Sequence, residues 1–226
     1  RGSLRDERAM NLRRILALLC GAGALLATLP WVTSDFGLSL ALTCVVYAGL
    51  AVTWAMFSGA TGYLSLATAA FFGIGGYSTA ILTMRHGVAF EPALLLAALI
   101  AALAASLFGI VALRLSGIFF ALTTLALGQL AMIASDTVLA GLTKGQDGIA
   151  GVPRPALFGL DFGRADFFLV YVTVVFFATL ALVALIRNSP FGQVMVAIRT
   201  NELRASQLGF NVKYFKISVL VVSGFF

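Results

Sequence analysis

The sequence predicts an all-α fold, a polytopic transmembrane helical bundle with a short cytoplasmic coupling helix, and three observations carry that prediction. Apolar runs near 20 residues recur along the chain, long enough at about 1.5 Å per residue to cross about 30 Å of hydrocarbon. Hydrophobic residues make up 61% of the 226 and charged residues only 11%, where soluble domains carry about 25% charged. No segment alternates with a period of two, so the spanning elements are expected to be helices rather than barrel strands.

Taken in order, the chain opens on a basic tail, residues 1–14, with Arg1, Arg5, Arg8, Arg13 and Arg14. A membrane domain is expected over 15–226, with spans Ile15 to Trp31, Leu38 to Phe57, Tyr63 to Met84, Pro92 to Leu113, Gly117 to Ser135 and Phe167 to Ile186, and a seventh beginning near Phe215. Ten of the fifteen Lys and Arg fall in the tail and in the interval 187–216, so the positive-inside bias places both in the cytoplasm. Six crossings give the same result, since an even number returns the chain to its starting side. The first residue is Arg1 and the last, Phe226, falls inside an apolar run, which points to a fragment or a trimmed chain. The first span does not read as a secretory or lipoprotein signal: Leu19 is bulky where a small residue would precede a lipidated Cys20, and apolar spans follow throughout. Cys20 and Cys44 each lie in an apolar run and read as small core residues.

The third span, GYLSLATAAFFGIGGYSTAILTM, carries Ser65, Ala69 and Gly73 at four-residue spacing and a glycine cluster at Gly73, Gly75 and Gly76. Two readings stand side by side: a small-residue stripe for tight helix packing, or a break whose free backbone groups line a solute path. The fifth span repeats the small-residue face with Gly117, Ala121, Thr124 and Gly128, and adds Gln129 as its most polar member. Polar residues within a span tend to face the bundle interior, although Thr hydroxyls commonly bond their own helix. The candidate path residues are therefore Ser65, Ala69, Gly73, Gly76, Tyr77, Thr124 and Gln129. Gly141 to Pro155, GLTKGQDGIAGVPRP, is a turn-rich loop expected outside, with a tight turn at Asp147 and Gly148.

The interval 187–216 is the longest polar stretch between two membrane-grade runs. Ser189 before Pro190 is an N-cap followed by proline at the first helical position. Thr200 or Asn201 can cap a second, two-turn helix from about Asn201 to Leu208, Glu202 suits its first turn, and Gly209 supplies a left-handed stop. Glu202, Ala205, Ser206 and Gly209 share one face at i, i+3, i+4 and i+7, a carboxylate followed by small residues that permit close approach of another surface. A plain solvated loop is the alternative.

Chemistry is conspicuous by what the residues exclude. One histidine, His86, is present, so no Ser/His/Asp set assembles, and no paired carboxylates lie within a span. No GxxxxGK[ST] occurs, so the chain is not expected to hydrolyse a nucleotide itself. No ionisable residue sits mid-span to serve as a charged coupling site. An enzyme is not expected, nor a cofactor, a metal or nucleic acid as partner; energy would come from a separate subunit.

Four blocks, GYLSLATAAFFGIGGYSTAIL, RLSGIFFALTTLALGQ, TKGQDGIAGVP and SPFGQVMVAIRTNELRASQLGFNVKYFKISVLVVSG, stand in the order found in the LivM-type permeases of branched-chain amino acid ABC transporters, which the chain resembles from Ser58 to Gly224. Ala67 and Thr68 depart from a Gly-His that the family often carries after the Ser-Leu of the third span. The resemblance implies an importer subunit of a bacterial-type cytoplasmic (inner) membrane that pairs with a LivH-type permease, with two ABC ATPase subunits on its cytoplasmic face and a periplasmic or lipid-anchored solute-binding protein delivering an amino acid. It also implies about two further spans after Gly224. Related permeases carry urea or short amides, and an ion-coupled carrier is the alternative from another class.

Overall fold

The computed structural model describes residues 35–153, 156–157, 160–161 and 165–226. The basic tail, the span Ile15 to Trp31 and Cys20 lie outside the described residues. Long helices follow the predicted spans closely: α1 Asp35–Thr61, α2 Thr68–His86, α3 Phe90–Ala112 and α4 Ile118–Asp136. A four-residue α5, Ala140–Thr143, and a 3-10 turn, Gly145–Asp147, come next. Two short strands then pair antiparallel, β1 Ala156–Leu157 with β2 Leu160–Asp161, Ala156 opposite Asp161 and Leu157 opposite Leu160. The chain closes with α6 Ala165–Asn188, α7 Pro190–Thr200, α8 Glu202–Gln207 and α9 Val212–Phe225.

Among the described residues, four helices are long and apolar enough to cross a membrane: Phe36–Thr61, Phe90–Ala112, Ile118–Asp136 and Phe167–Asn188. Helix α2 has a lower apolar content, with Gly73, Gly75, Gly76, Ser78 and Thr79 in its middle and Arg85 and His86 in its last turn. It is nevertheless continuous from Thr68 to His86. The third span therefore does not break at its glycines. The irregular stretch lies earlier, at Tyr63–Ala67, so Ser65 precedes the helix and forms no stripe with Ala69 and Gly73.

The small-residue ladder that packs is on α3. Ala93, Ala97, Ala101, Ala105 and Gly109 recur every fourth residue and are all buried, and α9 lies against them. A Cβ added at Gly224 would stand 2.6 Å from the Ala105 Cβ, and one at Gly109 would stand 3.2 Å from Leu220 Cδ2. Close backbone approach through small residues replaces the hydrophobic drive that lipid removes.

Contacts separate the two ends of the bundle. At one end Arg85 donates to the Gly141 carbonyl, and the Phe90 and Tyr171 rings meet at 6.2 Å. At the other, Phe57, Ala112, Phe120, Met195, Ile198 and Ala205 share one core. The interval 187–216 thus packs beneath the end of α1 and the start of α4, opposite the loop that begins at Gly141.

Candidate solute path and coupling platform

The platform is built by local capping. Ser189 accepts from the Gly192 amide at 3.4 Å with Pro190 at the first helical position, which starts α7. The chain turns so sharply here that a Cβ at Gly192 would collide with the backbone carbonyls of Ile186 and Arg187. Asn201 ends α7, its amide bonded to the Ala197 carbonyl, and caps α8 by accepting from the Arg204 amide at 2.9 Å. Gly209, at φ +90°, stops α8 in the left-handed region that glycine favours. Asn211 then caps α9, accepting from the Tyr214 amide at 3.2 Å.

Of the four platform residues picked out by spacing, Glu202, Ser206 and Gly209 are exposed and Ala205 is 3% exposed. Ala205 belongs to the core with Phe57, Met195 and Ile198, so the close approach that its small side chain permits is to this chain's own bundle. The helix presents Leu203 (70% exposed) and Leu208 (77%) outward instead. Periodicity placed Ala205 on a face with Glu202 correctly; which way that face points depends on tertiary contacts that spacing does not contain. Glu202 turns toward the bundle as well. Its Oε2 accepts from Lys216 Nζ at 2.7 Å and from the Tyr63 hydroxyl at 3.3 Å. The Lys216 ammonium lies 3.8 Å above the Tyr63 ring. Arg199 adds a further tie, donating to the Gly59 carbonyl at 2.5 Å.

Tyr63 opens the irregular stretch between α1 and α2. Gly62, at φ +75°, ends α1 with its amide on the Ser58 carbonyl. The stretch cannot bond to itself, so side chains of neighbouring helices satisfy its backbone. The Tyr63 amide donates to Thr61 Oγ1 at 3.1 Å and the Ser65 amide to Ser58 Oγ at 3.3 Å. The Ser65 carbonyl accepts from Trp54 Nε1 at 2.9 Å, and the Leu66 amide donates to Thr124 Oγ1 at 3.1 Å. Irregular backbone held this way meets the condition for persisting in an apolar bundle.

Above the stretch, α1, α2, α3, α6 and α9 surround a cavity of about 290 Å³. Its wall is aliphatic and aromatic, with Phe71, Phe72 and Phe176, relieved by the hydroxyl residues Thr53, Thr68, Thr79, Thr179 and Ser223; among the described residues no ionisable one lines it. Thr53 donates to the Leu50 carbonyl, Thr79 to Gly75 and Ser223 to Thr53. Each of these hydroxyls has its proton committed and keeps only acceptor capacity.

Among the candidate path residues, Gly76 lines this cavity. Ser65 and Thr124 are each 1% exposed; the Thr124 hydroxyl holds the irregular stretch, while Ser65 lies within it, bonded through its backbone amide and carbonyl. Thr124 also donates to the Ala121 carbonyl at 2.8 Å, so both its helix-bonding role and an interior role are present. Ala69 and Gln129 are exposed and Gly73 and Tyr77 half-buried; a Cβ at Gly73 or Gly76 meets nothing within 4 Å. Five wall residues on α1 and α6, Val45, Gly49, Val172, Val175 and Thr179, carried no signal in the sequence beyond membrane-grade apolarity. No group of three or more metal-ligating side chains occurs among the described residues.

An apolar multi-helix chain that surrounds a cavity and folds a polar platform at one end has the organisation of a membrane permease. The chain belongs to the family described as the permease component of branched-chain amino acid transport systems, which matches residues 37–226. It is similar to the high-affinity branched-chain amino acid transport system permease protein LivM of Escherichia coli (strain K12), at 28% identity over 222 residues, covering 87% of this chain and 52% of that protein. The LivM protein of Salmonella typhimurium (strain LT2) matches to the same extent. The chain spans about half the length of the curated relatives it matches. No solved structure matches it. Family and helices together make it a multi-pass membrane protein, and the family is one of transporter permeases rather than enzymes.

Proposed function

We propose that the chain forms part of a permease subunit of an ATP-driven importer for branched-chain amino acids in an inner membrane. The observation that carries this reading is the uncharged cavity of about 290 Å³ at the centre of the family match over 37–226. An aliphatic side chain suits its wall, and the acceptor hydroxyls at Thr53, Thr79 and Ser223 suit a solute ammonium group. The path runs along α2 past Gly76, with Gly73, Tyr77 and Ala69 on the same helix and Gln129 on α4 available to the solute or to a partner helix. Ser65, within the irregular stretch, and Thr124, which holds it, act on the path through that stretch.

Alternating access in this reading is driven by two ABC ATPase subunits that dock on the interval 187–216 through Glu202, Ser206, Gly209 and the outward leucines of α8, with Ala205 supporting the helix from behind. A LivH-type permease and a periplasmic or lipid-anchored solute-binding protein complete the assembly. The platform and the N-terminal tail face the cytoplasm, as the clustering of Lys and Arg in both supports. The test is solute-stimulated ATP hydrolysis by the reconstituted full-length complex. Stimulation by Leu, Ile or Val is expected; stimulation by urea or short amides alone would replace the solute, and uptake in vesicles lacking the ATPase subunits would replace the whole reading with an ion-coupled carrier.

A further inference from the structure

Glu202 joins three segments that the chain keeps far apart. It sits in the first turn of α8; Lys216 lies 14 residues on, in α9, and Tyr63 lies 139 residues back, ahead of α2. The Lys216 side chain is 4% exposed and that of Glu202 50%. A buried ammonium whose one carboxylate partner lies at the surface is held by that partner more strongly than it holds it, since removing the carboxylate leaves an uncompensated buried charge. The Tyr63 ring face beneath Nζ supplies the remaining electrostatic support. Because Lys216 Nζ and the Tyr63 hydroxyl both bond the same oxygen, Oε2, a displacement of Glu202 acts on both at once.

Both partners lead to the cavity. Ser223 lies two helical turns beyond Lys216 on the same face of α9, and Gly224, Phe225 and Phe226 line the cavity beside it. Tyr63 leads through the irregular stretch into α2, whose Thr68, Phe71 and Gly76 form the facing wall. The stretch is held by bonds to Thr61, Ser58, Trp54 and Thr124 rather than by a helical ladder of its own, while α9 is braced on the α3 ladder. Drawing Glu202 away would remove the acceptor that Tyr63 and Lys216 share, leave only the contact of the ammonium with the ring between them, and loosen α2 from α9 at the platform end.

We infer that Glu202, Lys216 and Tyr63 are positioning residues for transport, a three-way latch through which the position of α8 sets the opening of the cavity toward the platform. The inference rests on the coupling reading above for its role in transport, but the latch itself requires neither solute nor nucleotide. This permits a test that separates the two. In membranes carrying the full-length permease with its partner subunits, every native cysteine, Cys20 and Cys44 among them, is replaced by serine and a single cysteine is introduced at Gly76, where added atoms meet open space. Labelling by a membrane-impermeant maleimide is then followed from the platform side. Glu202→Gln and Lys216→Met are each expected to raise the labelling rate by about threefold or more, and the double variant no further than the larger single effect, as groups acting as one unit do. Tyr63→Phe, which keeps the ring beneath the ammonium and loses the hydroxyl, gives a smaller rise and serves as the readout if a charge-removing variant fails to accumulate. Lys213→Met, an exposed cation on the same helix, leaves the rate where it is. Unchanged labelling in the triad variants, or effects that multiply in the double variant, overturns the latch. Loss of solute-stimulated hydrolysis in the unmodified complex would instead remove the coupling reading and leave the labelling result standing. With both in force, Lys216→Met, whose parent side chain is only 4% exposed and so lies away from any docking partner, lowers uptake per ATP hydrolysed while ATPase association is retained, a split that a merely structural role would not produce.

Discussion

Thr124 and Leu66, 58 residues apart, share a hydrogen bond in which the Leu66 amide donates to the threonine hydroxyl at 3.1 Å. The same hydroxyl donates to the Ala121 carbonyl at 2.8 Å. One oxygen thus satisfies its own helix and a piece of irregular backbone at once. Thr124→Val keeps the shape and removes the acceptor, leaving a part-buried amide unsatisfied at a cost of about 1 kcal/mol. A lowered apparent melting temperature of the detergent-solubilised protein is expected, with Thr124→Ser close to the parent. Equal melting temperatures for the Val and Ser variants would show that the bond contributes nothing.

Gly224 and Gly73 make opposite predictions for the same substitution. At Gly224 a Cβ would lie 2.6 Å from the Ala105 Cβ, and overpacking of that kind costs about 1 to 3 kcal/mol. At Gly73 it meets nothing within 4 Å. Thermal unfolding should therefore place Gly224→Ala well below the parent and Gly73→Ala beside it, with Ala105→Gly restoring part of the loss at Gly224. If Gly73→Leu leaves assembly and uptake intact, neither a partner helix nor solute uses that position.

Sidedness is testable with two reporters at opposite ends of the bundle. Cysteines at Arg204, on α8, and Gln146, in the 3-10 turn, are both exposed. Impermeant reagent should reach Gln146→Cys from outside and Arg204→Cys from the cytoplasmic side. Reaction at both from one side would dismiss the membrane topology.

On the platform, the inward and outward faces of α8 should fail differently. Ala205→Trp overpacks the chain's own core, so the permease itself should lose about 1 to 3 kcal/mol of stability. Leu203→Asp changes a side chain that is 70% exposed; the permease's own melting temperature should hold while ATPase association in pull-down weakens. Association unaffected by Leu203→Asp would leave α8 as a solvated corner.

The helices and their caps were legible because their causes are local. Ser189 with Pro190, Asn201 and Gly209 act within one turn of the ends they make, so the pattern of residue types is enough to find them. The irregular stretch was not. Tyr63–Ala67 reads as apolar helix, and what keeps it unwound is Gly62 at φ +75° together with acceptors and donors on Trp54, Ser58 and Thr124. The hydroxyls at Ser58, Thr61 and Ser65 around Gly62 were the available signal. The α3 ladder was hidden for a different reason: alanine is apolar, so Ala93, Ala97, Ala101 and Ala105 blended into a uniformly hydrophobic span, while the glycines of α2 drew notice and face open space. Likewise the wall of the cavity comes from five helices, and no single segment announces it.

Asn201 alone separates α7 from α8, capping the end of one and the start of the other. A junction of one residue has no slack. Its extended backbone, φ −157° and ψ 100°, fixes the angle between the two helices, and the side chain that caps α8 is anchored by the backbone that ends α7. A push on α8 therefore reaches α7, and through Arg199 the end of α1 at Gly59, without first being absorbed by a linker. On the far side, Leu208 to Asn211 separates α8 from α9, and its turn at Gly209 is closed by the Gly209 amide on the Ser206 carbonyl and the Phe210 amide on the Ala205 carbonyl. The corner is thus stiff toward α1, and on the α9 side it is joined through Glu202 and Lys216, so a push on α8 is delivered to both neighbours from its N-terminal end.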